Sequence, residues 1–385
     1  MNPIPNCIIE TVDTPAYVID ASQLVANASA IRQLAGPQAT LLFALKAFTL
    51  IPPLRTLAAH VDGFAASSLC EARLARDLAS SSGRVHFTAP AVPARDFAEL
   101  TRISDCIACN SPAQWERFAS LDGTASLGLR VNPGLSLTDD ERYDPCRTAS
   151  KLGTPLAEAR QWLDTRDDSA PPVEGIHFHS NSEGDDLAGL DQTVARVEEA
   201  LGAHLHKLQW LNLGGGYWYP DADNRTKLRP LVERLAETYG LHVVLEPGMS
   251  VASDAGFLVT QVEDVFQRDG RTIAVLDTAV NHLPEVLEFE WEPELLPTIP
   301  EGPVRCVLAG CTCLAGDLFG EHGFARPLVP GDRLAFTYAG AYSQVKADWF
   351  NGVCPPTIYL TESDTWNITE LRRFGYEDFL RQYSS

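Results

Sequence analysis

No stretch of eighteen or more consecutive apolar residues occurs in the 385-residue chain, and its first residues, MNPIPNCIIETVDTP, carry no basic segment leading into an apolar run. Both absences argue against a membrane span and a secretory leader, so the expected setting is the cytoplasm. Positive charge is scarce as well: 30 Lys and Arg stand against 51 Asp and Glu, a formal net charge of −21. That sign repels nucleic acid and anionic membranes and would concentrate a polycationic small molecule near the surface. Solubility alone is the competing explanation. Cysteine lacks regular spacing. The nine residues are odd in number and scattered, which suits reduced thiols in a large intracellular protein better than a disulfide framework. There is no internal repeat, coiled-coil heptad or low-complexity tract.

What the chain does contain is an alternation of two periods. Short apolar runs at 41–45, 63–67, 85–88, 106–108, 127–131, 175–179, 208–213 and 243–246 read as eight strands. Between them, stretches such as 70–79, 112–120, 155–163, 187–201 and 227–239 place apolar residues three and four apart, the mark of amphipathic helices. Eight strands alternating with helices imply a parallel sheet closed into a (β/α)8 TIM barrel, an α/β fold, expected over residues 21–254. After about Ala255 the pattern changes to strand-like runs at 257–265, 272–277, 304–309, 333–338 and 357–360, broken by Gly and Pro. These predict a β-rich domain, a small barrel or sandwich, over 255–385 that also takes the segment 1–20 through a strand at Tyr17–Asp20.

In a barrel of this kind the chemistry lies at the C-terminal ends of the strands. The first predicted strand ends in Phe-Ala-Leu-Lys46, a lysine whose burial would lower its pKa and suit it to Schiff-base formation. A lysine merely snorkelling from a strand end is the alternative. The sixth ends in His177-Phe-His179-Ser-Asn-Ser182, two histidines on one face followed by small polar residues able to cup a phosphate. A zinc pair would need a third ligand that the spacing does not supply, so no metal is expected. The seventh runs into Gly214-Gly215-Gly216 and the eighth into Glu246-Pro-Gly248, turns whose backbone can approach an anion closely. Glu246 closes a buried strand, where a carboxylate needs a cationic or proton-donating partner; a structural salt bridge would also serve. In the β-rich part, Gly310-Cys311-Thr-Cys313-Leu-Ala-Gly-Asp317 and Gly340-Ala-Tyr342 place thiols, an acid and a phenol in loops. A redox or metal role for Cys311 and Cys313 lacks a second matching pair, and Cys106-x-x-Cys109 reads as structural.

These motifs, in this order over residues 46 to 342, resemble the alanine-racemase-like (fold type III) decarboxylases dependent on pyridoxal 5′-phosphate (PLP). Tyr143-Asp-Pro-Cys146, Ser150-Lys-Leu-Gly153, His282-Leu-Pro-Glu285-Val-Leu-Glu288 and Cys313-Leu-Ala-Gly-Asp317 are most similar to the carboxynorspermidine/carboxyspermidine branch. The resemblance implies that Lys46 carries PLP and His179 stacks on its ring. Ser182, Gly215, Gly216, Gly248 and Tyr342 would serve its phosphate, and Glu246 would keep the pyridine nitrogen protonated. Cys313, from the partner subunit of a homodimer with shared sites, would protonate the product carbanion. His282, Glu285 and Asp317 are candidate substrate contacts.

The implied reaction is decarboxylation of a carboxylated polyamine, with the cofactor as electron sink. Where many relatives carry a charged residue after Glu-Pro-Gly, this chain has Met249, which removes a phosphate or substrate-tail contact. Related substrates therefore stay open: carboxyaminopropylagmatine, diaminopimelate, ornithine, lysine, arginine or a secondary-metabolite precursor. Two rivals share the fold, an amino-acid racemase and a non-catalytic PLP-binding protein. Glu246 and the Cys313 loop favour decarboxylation over both.

Overall fold

A computed structural model describes residues 3–79, 83–138, 140–167, 169–182, 184, 187–219, 227–363 and 365–384. The chain divides into two compact units, Asn27–Val251 and the combination of Met1–Ala26 with Ala252–Ser385.

The first strand of the chain, β1 (Ala16–Asp20), belongs to the second of these units, and the chain then builds the barrel. Its strands are β2 (Ala39–Ala44), β3 (Gly63–Ala66), β4 (Arg84–Phe87), β5 (Cys106–Cys109) and β6 (Ser126–Asn132), then, after the two-residue β7 (Thr154–Pro155) that pairs only with β6, β8 (Gly175–His177), β9 (Trp210–Asn212) and β10 (His242–Leu245). The pairing runs β5-β4-β3-β2-β10-β9-β8-β6, all parallel, and closes through β5 and β6. Eight strands thus form the closed parallel barrel predicted from the period alternation.

Short, largely buried apolar runs make these strands; serine caps begin two of the helices between them. Ser68 accepts the Glu71 N–H at the head of Leu69–Leu78, and Ser111 accepts the Gln114 N–H at the head of Pro112–Ala119. Gly240, at φ +72°, ends Leu228–Tyr239 in the left-handed conformation that glycine adopts without strain. The N-terminal end of the barrel is filled by the Trp210 indole. A Cβ on Gly128 or Gly175 would lie 2.4 or 2.0 Å from that ring, so glycine at both positions makes room for it. Cys106 and Ala108 pack against the same side chain, and Cys106 and Cys109 are buried thiols whose pKa values burial pushes up, a structural role.

The second unit is a mostly antiparallel sheet in the order β14-β13-β12-β11-β1-β16-β17, with β15 paired to β11. Its strands are β11 (Gly256–Arg268), β12 (Arg271–Leu276), β13 (Val304–Ala309), β14 (Leu318–Phe324), β15 (Arg333–Phe336), β16 (Thr357–Thr361) and β17 (Ile368–Arg372). β1 lies between β11 and β16, so the N-terminal strand does join this sheet. Ile8, Ile9, Val18, Phe257 and Val259 are at the centre of its apolar core. Among the described residues no helix is long and apolar enough to cross a membrane.

Candidate active site

The C-terminal ends of the barrel strands converge on one cavity. It is lined by Lys46 after β2, Ser67 after β3, Thr88 after β4, Arg130 on β6, His177 and His179 at the end of β8, and Glu246 after β10. Lys46 sits in a one-turn 3-10 helix, Leu45–Ala47, directly after a strand buried almost throughout, which aims it into the barrel mouth. Its surface is reached by solvent, yet protein surrounds it, and that desolvation, helped by Arg130 and opposed by Glu246 and Glu71, lowers its pKa. A lysine so placed spends more time as the uncharged, nucleophilic amine.

Glu246 is held by one side chain and approached by another. Asn212 Nδ2 donates to its Oε1 at 2.6 Å, and His177 Nε2 lies 3.6 Å from its Oε2. Burial alone would raise its pKa; His177, His86 and the Asn212 amide outweigh that and hold the carboxyl at about 2. The same Asn212 accepts the Gly214 N–H through Oδ1 at 2.9 Å, fastening the glycine turn to the carboxylate.

His179 is half-buried, and its Nδ1 accepts the Gly215 N–H at 3.1 Å. Burial first, then Lys46 and Arg130, push its pKa well below the imidazole range, so it is neutral with its proton on Nε2. The Gly215 N–H is thus directed at the His179 ring. Gly216, at φ +88°, has an N–H without partner among the described residues; a Cβ there would fall 2.0 Å from the Asn181 carbonyl oxygen. Ser182 is half-buried beside it, its N–H donated to Asn181 Oδ1 at 2.8 Å. Gly248 packs against the strand that carries Lys46: a Cβ there would meet the Ala47 Cβ at 3.0 Å, and Pro247 O accepts the Ala44 N–H at 3.0 Å.

Lys46, His179, Ser182, Gly215, Gly216, Glu246 and Gly248 thus belong to one face of the barrel unit. Four further polar residues there were not singled out from sequence: Arg130, Asn212, His86 and Glu71. Arg130 is 7% exposed, and burial, against the pull of Glu246, brings its pKa down to about 10. Glu71 accepts the Ser67 N–H at 2.6 Å. The Ser-x-x-Glu spacing of Ser68 and Glu71, a capping signature, was the available signal for it.

The remaining candidates cluster in the sheet unit. Cys313 is exposed, and its N–H donates to Asn351 Oδ1 at 2.7 Å. Asp317, buried, spends both carboxylate oxygens on its own loop and its neighbour: Val280 N donates to Oδ1 at 2.7 Å, and Thr312 N and Oγ1 donate to Oδ2 at 2.9 and 2.5 Å. His282 is buried as well; the Ala279 N–H points at its Nδ1 from 3.3 Å, and its carbonyl accepts the Tyr17 hydroxyl. Glu285 opens the short helix Glu285–Glu288, whose Glu288 pairs with Lys346. Lys346 Nζ stands 5.0 Å over the Tyr342 ring, and Gly340 before it fits only as glycine, since a Cβ would meet the Ala252 oxygen at 1.8 Å.

A lysine, an ionised carboxylate and a neutral imidazole in one barrel mouth, beside a glycine turn with an unpaired N–H, suit a pyridine aldehyde phosphate. His177, buried with neither ring nitrogen paired among the described residues, leaves polar capacity in the same cavity. Fold and site together define a PLP-dependent enzyme of the barrel type. The family model described as pyridoxal-dependent decarboxylase, pyridoxal binding domain, matches residues 21–253, and the chain belongs to that family. It is 32% identical to a carboxynorspermidine/carboxyspermidine decarboxylase of Herminiimonas arsenicoxydans, over 97% of this chain and 100% of the relative. A carboxyaminopropylagmatine decarboxylase of Synechocystis is 34% identical over 98% of this chain and 97% of its own length. Among solved structures, carboxynorspermidine decarboxylase from Campylobacter jejuni, complexed with norspermidine, superposes with a TM-score of 0.85 at 29% identity, covering 96% of this chain and 100% of that one.

Proposed function

We propose that the protein decarboxylates carboxynorspermidine or carboxyspermidine to the corresponding polyamine and CO2, a step of polyamine biosynthesis. The observation that carries the reading is Glu246, an ionised carboxylate in the cavity shared by Lys46 and neutral His179, in a chain matched end to end by decarboxylases of such substrates. PLP, when bound, supplies an electron sink for the charge left as the carboxylate departs. Lys46 would hold the cofactor and yield it to the substrate amine. His179 would lie against the ring, and Glu246 would keep a proton on the ring nitrogen. The phosphate would fall to Gly216, Ser182, Gly248 and Tyr342, with Gly215 orienting His179.

Cys313, given by the partner subunit of a homodimer, would deliver a proton to the substrate carbon. His282 and Glu285 would receive the cationic tail, and Asp317 would hold the Cys313 loop in shape. The functional division falls at residues 20/21 and 254/255, with the barrel binding PLP. The negative net charge supports a small cationic substrate, no nucleic-acid or membrane partner, and a cytoplasmic location.

The test is mass spectrometry of the PLP-loaded protein incubated separately with carboxynorspermidine, carboxyspermidine, carboxyaminopropylagmatine, diaminopimelate, ornithine, lysine and arginine. Loss of CO2 from either of the first two, at the highest kcat/KM of the panel, is expected. Preference for carboxyaminopropylagmatine is the second reading, favoured by the Synechocystis relative; it would replace the first while keeping the chemistry. An intact panel would overturn both substrates.

A further inference from the structure

Glu246 is served by two donors of unequal standing. Asn212 is already bonded to Oε1 at 2.6 Å and is itself anchored to the Gly214 N–H, so its place is accounted for by the fold. His177 is not. It is 1% exposed, on the last residue of β8, and neither of its ring nitrogens has a hydrogen-bond partner among the described residues. Buried polar atoms are normally paired, and an imidazole kept only for packing could give way to an apolar side chain of similar volume. The nearest acceptor is Glu246 Oε2, 3.6 Å from Nε2. A shift of roughly 0.7 Å would bring the pair to an ordinary N–H···O separation.

We infer that His177 is a positioning residue for the reaction: its Nε2–H is the donor reserved for Glu246 Oε2, and it fixes how strongly that carboxylate competes for the proton on the cofactor's ring nitrogen. The inference rests on Glu246 facing that nitrogen, as proposed above. Around the pair stand Lys46 from β2, His86 from β4, Arg130 from β6 and His179 after β8. Burial keeps all three imidazoles toward the neutral form, so His177 acts as a dipolar donor beside an anion. With both oxygens supplied, Glu246 is a weak base and the ring nitrogen keeps its proton. With Oε2 unsupplied, the carboxylate is a stronger base and draws the proton toward itself, weakening the sink.

The experiment is nitrogen NMR of the holoenzyme loaded with PLP carrying 15N in the ring, in wild type, Glu246→Gln, His177→Leu and His177→Gln. The glutamine amide nitrogen can occupy the place of Nε2, so His177→Gln should keep the protonated-ring resonance, whereas His177→Leu should move it toward the neutral-ring position. With that shift, kcat should drop roughly ten- to a hundredfold, the range seen when an outer partner of a functional side chain is removed, with KM little changed. Should the leucine variant not fold, His177→Asn, whose amide stops short of Glu246, takes its place with the same expectation. A resonance that moves in Glu246→Gln but not in His177→Leu or His177→Asn overturns the inference and leaves the Glu246 reading intact. One that stays fixed in Glu246→Gln overturns that reading and the inference together.

Discussion

Lys46 and Glu246 face one cavity with opposite charge, yet both have depressed pKa values, for different reasons. Burial works against the lysine ammonium, while the donors around Glu246 outweigh the burial that works against its carboxylate. The same burial makes two histidines acid sensors, one beside this cavity and one in the sheet unit. His86 and His282 are both held neutral, their pKa values lowered to about 4, with desolvation as the largest cause in each. Protonation therefore favours the unfolded chain. The stability they contribute is complete above pH of about 6.5 and drains away as pH falls toward 4, by roughly 3 kcal/mol each at about 1.4 kcal/mol per pH unit. Urea midpoints measured from pH 7 to 4.5 should fall accordingly, and His282→Gln should make that decline shallower; an unaltered decline would place the sensitivity elsewhere. At Gly216 the backbone is left-handed and a Cβ would sit 2.0 Å from the Asn181 oxygen. Gly216→Ala should therefore raise the PLP dissociation constant at least roughly tenfold, about 1.4 kcal/mol, as read by titration of the visible absorbance, since left-handed strain alone costs about 1–2 kcal/mol. Lys46, His179 and Glu246 were legible in the sequence because each ends an apolar run at a strand terminus. Arg130, Asn212 and His86 were not, because a polar residue inside a short strand shows its facing only once closure has set the register.

The loop Gly310–Asp317 shows how an element is built for a residue it does not itself employ. Asp317 gathers the Val280 and Thr312 N–H groups and the Thr312 hydroxyl, and its own N–H returns to Leu314 O at 3.0 Å. Asp317→Ala would strand the buried Val280 donor, a cost of about 1–3 kcal/mol for that group alone. Hydrogen exchange should rise across residues 310–318. Turnover should fall roughly tenfold or more from misplacement of Cys313, while the absorbance of lysine-bound PLP holds. Equal loss of cofactor and turnover would show that Asp317 serves the fold at large. At this scale the eight barrel strands and the five helices named between them were readable to within four residues, because period and burial coincide there. β14 (LFGEHGF) and β17 (ITELR) were missed. Two glycines in one and the charged Glu370 and Arg372 in the other hide any apolar run, and each is a strand because β13 or β16 offers it a partner edge. The helix Tyr376–Tyr383 was missed as well, although Tyr376, Phe379, Leu380 and Tyr383 recur at helical spacing and Phe379 packs against Trp349; it is short and none of its residues is fully buried.

Across the whole molecule, the exposed side chains around Cys313 bear on assembly. Leu314, Leu318, Leu287 and Phe350 are 37, 45, 45 and 42% exposed in the same unit as this thiol. A thiol that hands a proton to a substrate carbon needs water kept away from it, and exposed leucines beside it supply a surface that a second copy could cover. This supports the proposed homodimer, and a twofold arrangement makes the consequence arithmetical. Lys46→Ala should abolish lysine-bound cofactor, seen as loss of the visible absorbance, and Cys313→Ala should retain it but lose turnover or divert the product to decarboxylative transamination. If each site joins Lys46 of one subunit to Cys313 of its partner, a heterodimer of the two variants contains one site with both residues and one with neither. Random reassortment should then restore about a quarter of wild-type activity, since half the dimers are mixed and each has one of two sites intact. Activity is to be measured after denaturant-assisted exchange, with heterodimers verified by differential tags. No recovery in verified heterodimers would mean that Lys46 and Cys313 act within one chain, and the leucines around the thiol would then need another cover.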